Sequence, residues 1–184
     1  MLREASQVGG VVLLQSVAHR DDRGYLVETW REERCLAAGI RARFVQDNVS
    51  VSRRGVLRGL HFQHPAPQGK LVCVLQGSVW DVGVDLRRGS PTFGDHVAVE
   101  LSAENGLQVY LPEGMAHGFY VTSESALVAY KCTSTYRPGG DRGLRWDDPA
   151  LGIAWPGGPR VLSPKDAVLP LLTDVSSEDL AQWT

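Results

Sequence analysis

Cysteine is scarce in this chain: Cys35, Cys73 and Cys132 are the whole set, and they are scattered. An odd, dispersed trio supplies neither a disulfide framework nor the CxxC spacing of a zinc site, so reduced structural thiols are expected. Neither sign of charge dominates. Lys and Arg number 19 against 21 Asp and Glu, a formal net charge of −2. That balance offers no global attraction to nucleic acid or an anionic membrane, and neither is expected as a partner. Long apolar runs are also missing. No stretch approaches the roughly 18 residues that a membrane span requires. The N-terminal MLREASQVGGVVLLQS has one short apolar patch and no convincing cleavage site, so a cytoplasmic location is the default expectation. Repeats, low-complexity tracts and linkers are absent too, and residues 1–184 are expected to form one domain.

What the chain has is glycine and short β-rich runs. Its 20 glycines and 10 prolines are spread throughout, as turns between many short strands require. In Gly69–Leu86, Val72, Val74 and Leu75 precede Gly77, and Val79, Trp80, Val82 and Val84 follow it. Two such runs about a Gln-Gly turn predict a hairpin. Asp95–Leu101, Leu107–Leu111 and Leu127–Thr133 read as further strands. Helix signals are few. REERCLAA, residues 31–38, is stopped by Gly39, and SSEDLAQW near Ser176 resembles a capped start. Roughly ten strands and one or two short helices predict an all-β fold, an antiparallel barrel or jelly roll.

Two histidines stand in unusual company: His61 in GVLRGLHFQ and His117 in PEGMAHGF. A lone histidine among apolar residues is ordinarily a core side chain bonded to a carbonyl. Here Arg58 and Lys70 lie nearby in sequence. On a regular strand Arg58 and His61 would face opposite ways, so a bulge at Gly59 is needed to bring both to one cavity. The spacing matches both cupin motifs. Gly55 precedes His61 by five intervening residues, and Gly106 is followed by five residues and then PEGMAH. A metal-binding cupin has a second histidine where this chain has Gln63, and a glutamate near Pro67 or Gln68. Two imidazoles make a poor metal site, so no metal and no cofactor are expected. Without one, a neutral imidazole can still act as a base near pH 7. A proton beside a ketone is weakly acidic, and a cation such as Lys70 would stabilise the developing enolate. Tyr130 could return the proton from the opposite face.

The residues quoted so far, together with DDRGYLVETW, FVQDNVSVSRRGVLRGLHFQ, LPEGMAHGF, YKCTSTY, WDDPALGIAWP and LSPKDA, resemble the dTDP-4-dehydrorhamnose 3,5-epimerase family. The likeness runs from about Val11 to Leu172. It implies a cupin-type double-stranded β-helix, a homodimer and a dTDP-4-keto-6-deoxyglucose substrate. It implies that His61 is the base, paired with Asp166, that Tyr130 is the acid, and that Lys70 lies near the keto oxygen. His117 becomes a second active-site histidine, with either Asp81 or Asp85 as its partner. Arg23 and Arg58 match diphosphate contacts, for which a forked guanidinium is suited. Tyr25, Glu28, Gln46 and Asn48 match residues of the nucleotide pocket, and Tyr136 an aromatic residue at the thymidine end. In the family the DDRGYLVE strand crosses the dimer, so Arg23 and Glu28 would serve the neighbouring site. Tyr120, next to HGF, is expected near the cavity. Three other readings stay open: a C3-only epimerase, a 3,4-ketoisomerase of similar barrel, and a non-catalytic cupin that binds a sugar nucleotide.

Overall fold

The computed structural model describes residues 2–5 and 8–183. The strands run in chain order β1 (Leu2–Ala5), β2 (Val12–Gln15), β3 (Ala18–Asp21), β4 (Gly24–Val27), β5 (Gln46–Arg53), β6 (Leu57–Gln63), β7 (Lys70–Gln76), β8 (Ser78–Asp85), β9 (His96–Ser102), β10 (Leu107–Leu111), β11 (Met115–Val121), β12 (Ser125–Cys132) and β13 (Asp141–Gly143). A six-stranded sheet has the order β1-β2-β10-β7-β12-β5, and a five-stranded sheet the order β13-β6-β11-β8-β9. Every pairing within them is antiparallel. The sheets share one core, with Val72, Val109 and Val128 from the first meeting Val79, Phe119 and Val121 from the second. This is the cupin-type double-stranded β-helix that the sequence predicts.

The five-stranded sheet is covered on both faces, which explains its composition. Along β8, Val79 faces the core between the sheets while Val82 and Val84 face a second cluster containing Leu144, Leu151 and Leu180. The chain after β13 therefore acts as a lid on the sheet's outer side. Central β11 is consequently buried at all seven residues, and its two histidine-flanking faces read as one apolar run rather than as an alternation.

The expected hairpin about Gly77 does not form. β7 pairs with β10 and β12, whereas β8 pairs with β11 and β9, so Gly77 carries the chain from one sheet to the other. Its φ of +75° suits glycine. A Cβ there would lie 2.0 Å from the Ser125 carbonyl oxygen. The turn signal was correct, but the partner strands, β9 to β12, all lie further along the chain, between residues 96 and 132.

The one α-helix among the described residues, α1 (Glu32–Ala37), ends as expected at Gly39, which has φ +82°. Ser176 does cap a start, accepting from the Glu178 N–H, but only a single 3-10 turn follows. Cys35 and Cys132 are buried and Cys73 partly so, all unpaired. Burial pushes the Cys73 thiol up to about 11, so it stays protonated and unreactive at neutral pH.

Candidate active site

The β6–β11 ladder creates the centre of the site. His61 sits opposite His117, but Arg58 sits opposite Phe119, so β6 spends one residue more than its partner. Gly59, at φ +100°, absorbs the extra residue. A Cβ at that position would lie 2.5 Å from the His117 carbonyl oxygen. This is the bulge that brings Arg58 and His61 to one cavity. It also turns the Gly59 N–H toward Asp166 Oδ2, at 3.4 Å.

Asp166 opens a 3-10 turn of the C-terminal lid and is buried. Its Oδ1 lies 2.6 Å from His61 Nε2, and its own N–H donates to Ser163 Oγ at 3.0 Å. Burial pushes the Asp166 carboxyl up, but the His61 hydrogen bond and charge, the Gly59 N–H and Ser163 outweigh it and hold the group below its ordinary value. The pair thus consists of an ionised carboxylate and an imidazole whose Nδ1 is left to exchange a proton.

From the opposite sheet come Lys70 on β7 and Tyr130 on β12. Lys70 is buried, with Nζ 3.5 Å from the His61 carbonyl oxygen. Burial pushes its amine below the ordinary value, against the charges of Cys132, Asp81 and Asp141. Burial raises the Tyr130 phenol, the Cys132 charge adds to this, and Arg58 opposes it. A phenol so raised holds its proton at neutral pH and is suited to donate one. His117 is buried, its Nε2 2.8 Å from Asp81 Oδ2, and its ring packs edge-on to Tyr130 at 6.4 Å. Asp81 is therefore its partner. Asp85 is taken by Arg87, Ser90 and Thr92.

These side chains bound two joined lobes. The outer lobe, about 340 Å³, contains Gln46, Asn48, His61, Lys70, Tyr130 and Tyr136. The inner lobe, about 260 Å³, shares His61, Lys70 and Tyr130 and adds Arg58 and His117. Nine of the twelve candidate catalytic and substrate-binding residues thus meet at one place. Arg23, Tyr25 and Glu28 do not. Arg23 is exposed in the β3–β4 turn and paired with Asp21 at 2.5 Å, Tyr25 is 48% exposed, and Glu28 faces Arg31 and Arg34. Tyr120 lies away from the cavity, its hydroxyl 3.3 Å from the Pro159 carbonyl and its ring under Arg160.

Sequence reasoning passed over Lys165 and Asp141 at the rim and Ser50 and Phe119 at the floor. Lys165 had a signal, standing beside Asp166 in LSPKD; Asp141 had none. Gln63, in the place of a metal cupin's second histidine, is a structural tie. Its Nε2 donates to the Ala66 carbonyl at 2.6 Å and its Oε1 accepts from the Arg137 N–H at 2.7 Å. Among the described residues, no three His, Cys, Asp or Glu side chains converge as a metal site would need.

A family model described as dTDP-4-dehydrorhamnose 3,5-epimerase matches residues 5–174. The dTDP-4-dehydrorhamnose 3,5-epimerase of Methanothermobacter thermautotrophicus is 49% identical over 151 residues, 82% of each chain. The Streptomyces niveus dTDP-4-dehydrorhamnose 3-epimerase is 39% identical over 175 residues, 94% of this chain and 84% of that one. A crystal structure of a dTDP-6-deoxy-D-glucose-3,5-epimerase from Legionella pneumophila, in complex with dTDP-4-keto-L-rhamnose, superposes with a TM-score of 0.94. It is 47% identical and covers 97% of this chain and 96% of that one. Barrel and relatives together define an isomerase, one that inverts carbon centres in sugars. More narrowly, the chain belongs to the dTDP-4-dehydrorhamnose 3,5-epimerase family.

Proposed function

We propose that the chain inverts C3, and then C5, of dTDP-4-keto-6-deoxyglucose, with its own side chains as acid and base. The observation that carries this reading is that His61 on one sheet, bonded to Asp166, and Tyr130 on the other meet about one cavity of two lobes. Epimerisation needs a base on one face of a carbon and an acid on the other. His61, oriented by Asp166, takes the C3 proton. Lys70 and His117 supply positive charge and a donor where the 4-keto oxygen becomes an enolate. Tyr130 returns a proton to the opposite face. After the ring is repositioned, the same groups act on C5. Arg58 takes the diphosphate, and Gln46, Asn48 and Tyr136 hold the nucleotide at the outer lobe.

Incubation with this sugar nucleotide in D2O, followed by proton NMR, tests the reading. Deuterium is expected at both C3 and C5. Deuterium at C3 alone would identify a C3 epimerase, a moved carbonyl a ketoisomerase, and no exchange would leave a binding protein.

The proposal extends to a cytoplasmic homodimer of one-domain chains. Arg23, Tyr25 and Glu28 lie outside their own cavity, and β5, at the sheet edge, exposes Val49 at 62% and Val51 at 69%. An apolar edge strand in water favours pairing with a second copy. The β3–β4 arm would then bring Arg23 and Glu28 to the partner's site. Mixing Arg23→Ala with His61→Ala under subunit exchange is expected to restore roughly a quarter of the intact sites, since half the dimers are mixed and each has one whole site. No recovery would place Arg23 with its own His61, or outside the reaction altogether.

A further inference from the structure

Strand β5 turns alternate residues inward. Gln46, Asn48, Ser50 and Ser52 are shielded, while Asp47, Val49, Val51 and Arg53 are exposed. The inward residues make a polar row leading from the outer lobe to the inner one. Three of them are occupied. Gln46 donates to Asn48 Oδ1 at 3.1 Å and accepts from the Tyr136 N–H at 2.8 Å. Asn48 donates to Cys132 Sγ at 3.6 Å, and Ser52 Oγ accepts from Arg58 Nε at 3.0 Å. Ser50 differs. Its Oγ is buried and has no hydrogen-bond partner among the described residues.

A buried hydroxyl without a partner works against folding. Ser50 stands opposite Val128 on β12, where alanine would serve packing as well. Ser50 lines the inner lobe with His61, Lys70, His117 and Tyr130. Lys70 and Arg58 can only donate, whereas a serine hydroxyl both donates and accepts, which is the need of a sugar hydroxyl.

We infer that Ser50 Oγ is a substrate-binding group that hydrogen-bonds the C2 hydroxyl of the sugar and fixes the ring over His61. The inference rests on the epimerase reading above. It names C2 for a geometric reason. The C4 oxygen belongs with Lys70, and the C3 hydroxyl swings to the other face when C3 inverts. The C2 hydroxyl flanks the reacting carbon yet keeps its own configuration throughout. A hydroxyl held on a rigid strand can therefore stay bonded to it in substrate, enolate and product, holding the ring while protons leave and return.

The test compares wild type and Ser50→Ala on dTDP-4-keto-6-deoxyglucose and on its 2-deoxy analogue, with Tm measured without ligand. Ser50→Ala should keep or raise Tm, since it removes an unpaired buried hydroxyl. It should lower kcat/KM on the full substrate about tenfold, the weight of one hydrogen bond. On the 2-deoxy analogue the two enzymes should be equal, because the partner is already gone. Equal losses on both substrates, or no loss on either, would overturn the assignment, as would a lower Tm, which marks a structural role. Wild type that exchanges no solvent deuterium into the full substrate would overturn the epimerase reading and this one together. An active wild type with an unaffected Ser50→Ala would overturn this one alone.

Discussion

His61→Ala is expected to lower kcat about a thousandfold or more and to remove solvent exchange at C3 and C5 together. Both centres fail at once because one base serves both in the proposed mechanism. The geometry also orders the loss from its partner. His61 Nε2 is committed to Asp166 at 2.6 Å, so Nδ1 carries the chemistry. Asp166→Ala removes the group that fixes this ring orientation and balances the imidazolium, without removing the base. A fall of about a hundredfold is expected there, with KM changed less than kcat. The double variant should be no worse than His61→Ala alone, because the carboxylate acts through the imidazole. Circular dichroism would check that the barrel is intact. A His61→Ala enzyme that exchanges deuterium within tenfold of wild type would remove His61 from the role of base.

The sequence was most legible where chemistry and local geometry coincide. Gly59 announced a bulge because Arg58 and His61 could share a cavity only with one, and the ladder shows it opposite His117 and Phe119. It was least legible where the answer lies in distant pairing. Nothing near Gly77 tells whether β7 and β8 pair with each other or with strands from the next fifty residues. The choice between Asp81 and Asp85 failed for a related reason. Four residues apart on one strand, they point the same way, and local pattern cannot rank them. What ranks them is the loop that follows, where Arg87, Ser90 and Thr92 fold back onto Asp85. Ser50 and Asp141 were invisible because single polar residues on short strands carry no spacing signal. The assignment of Arg23, Tyr25 and Glu28 rests on resemblance alone, since their own chain gives them no place in the cavity.

That loop carries the second large effect. Asp85 is fully buried. Its Oδ1 accepts from Arg87 Nε at 2.8 Å and from the Arg87 N–H at 3.0 Å. Its Oδ2 accepts from Arg87 Nη2 at 2.7 Å, Ser90 Oγ at 2.6 Å and Thr92 Oγ1 at 2.7 Å. Arg87 in turn donates to the Gly9 carbonyl at 2.7 Å and stacks 4.2 Å from the Trp183 ring. One carboxylate thus ties both ends of the chain to β8, the strand that also supports His117 through Asp81. Asp85→Ala would leave a buried guanidinium and two hydroxyls without their acceptor, and a loss of about 3–5 kcal/mol of stability is expected. The effect should depend on acidity in a defined way. Burial pushes the Asp85 carboxyl up, but Arg87, Ser90 and Thr92 hold it at about 2, below its ordinary 3.8. The folded protein therefore binds this proton less readily than the unfolded chain. The stabilisation is complete above pH 3.8 and fades as pH falls through about 2. Urea unfolding of wild type and Asp85→Ala should show its full gap at pH 7, a gap unchanged at pH 5, and a narrowing only in strong acid. A gap that closes already between pH 7 and 5 would mean that another group, and not the Asp85 carboxylate, holds this end of the barrel.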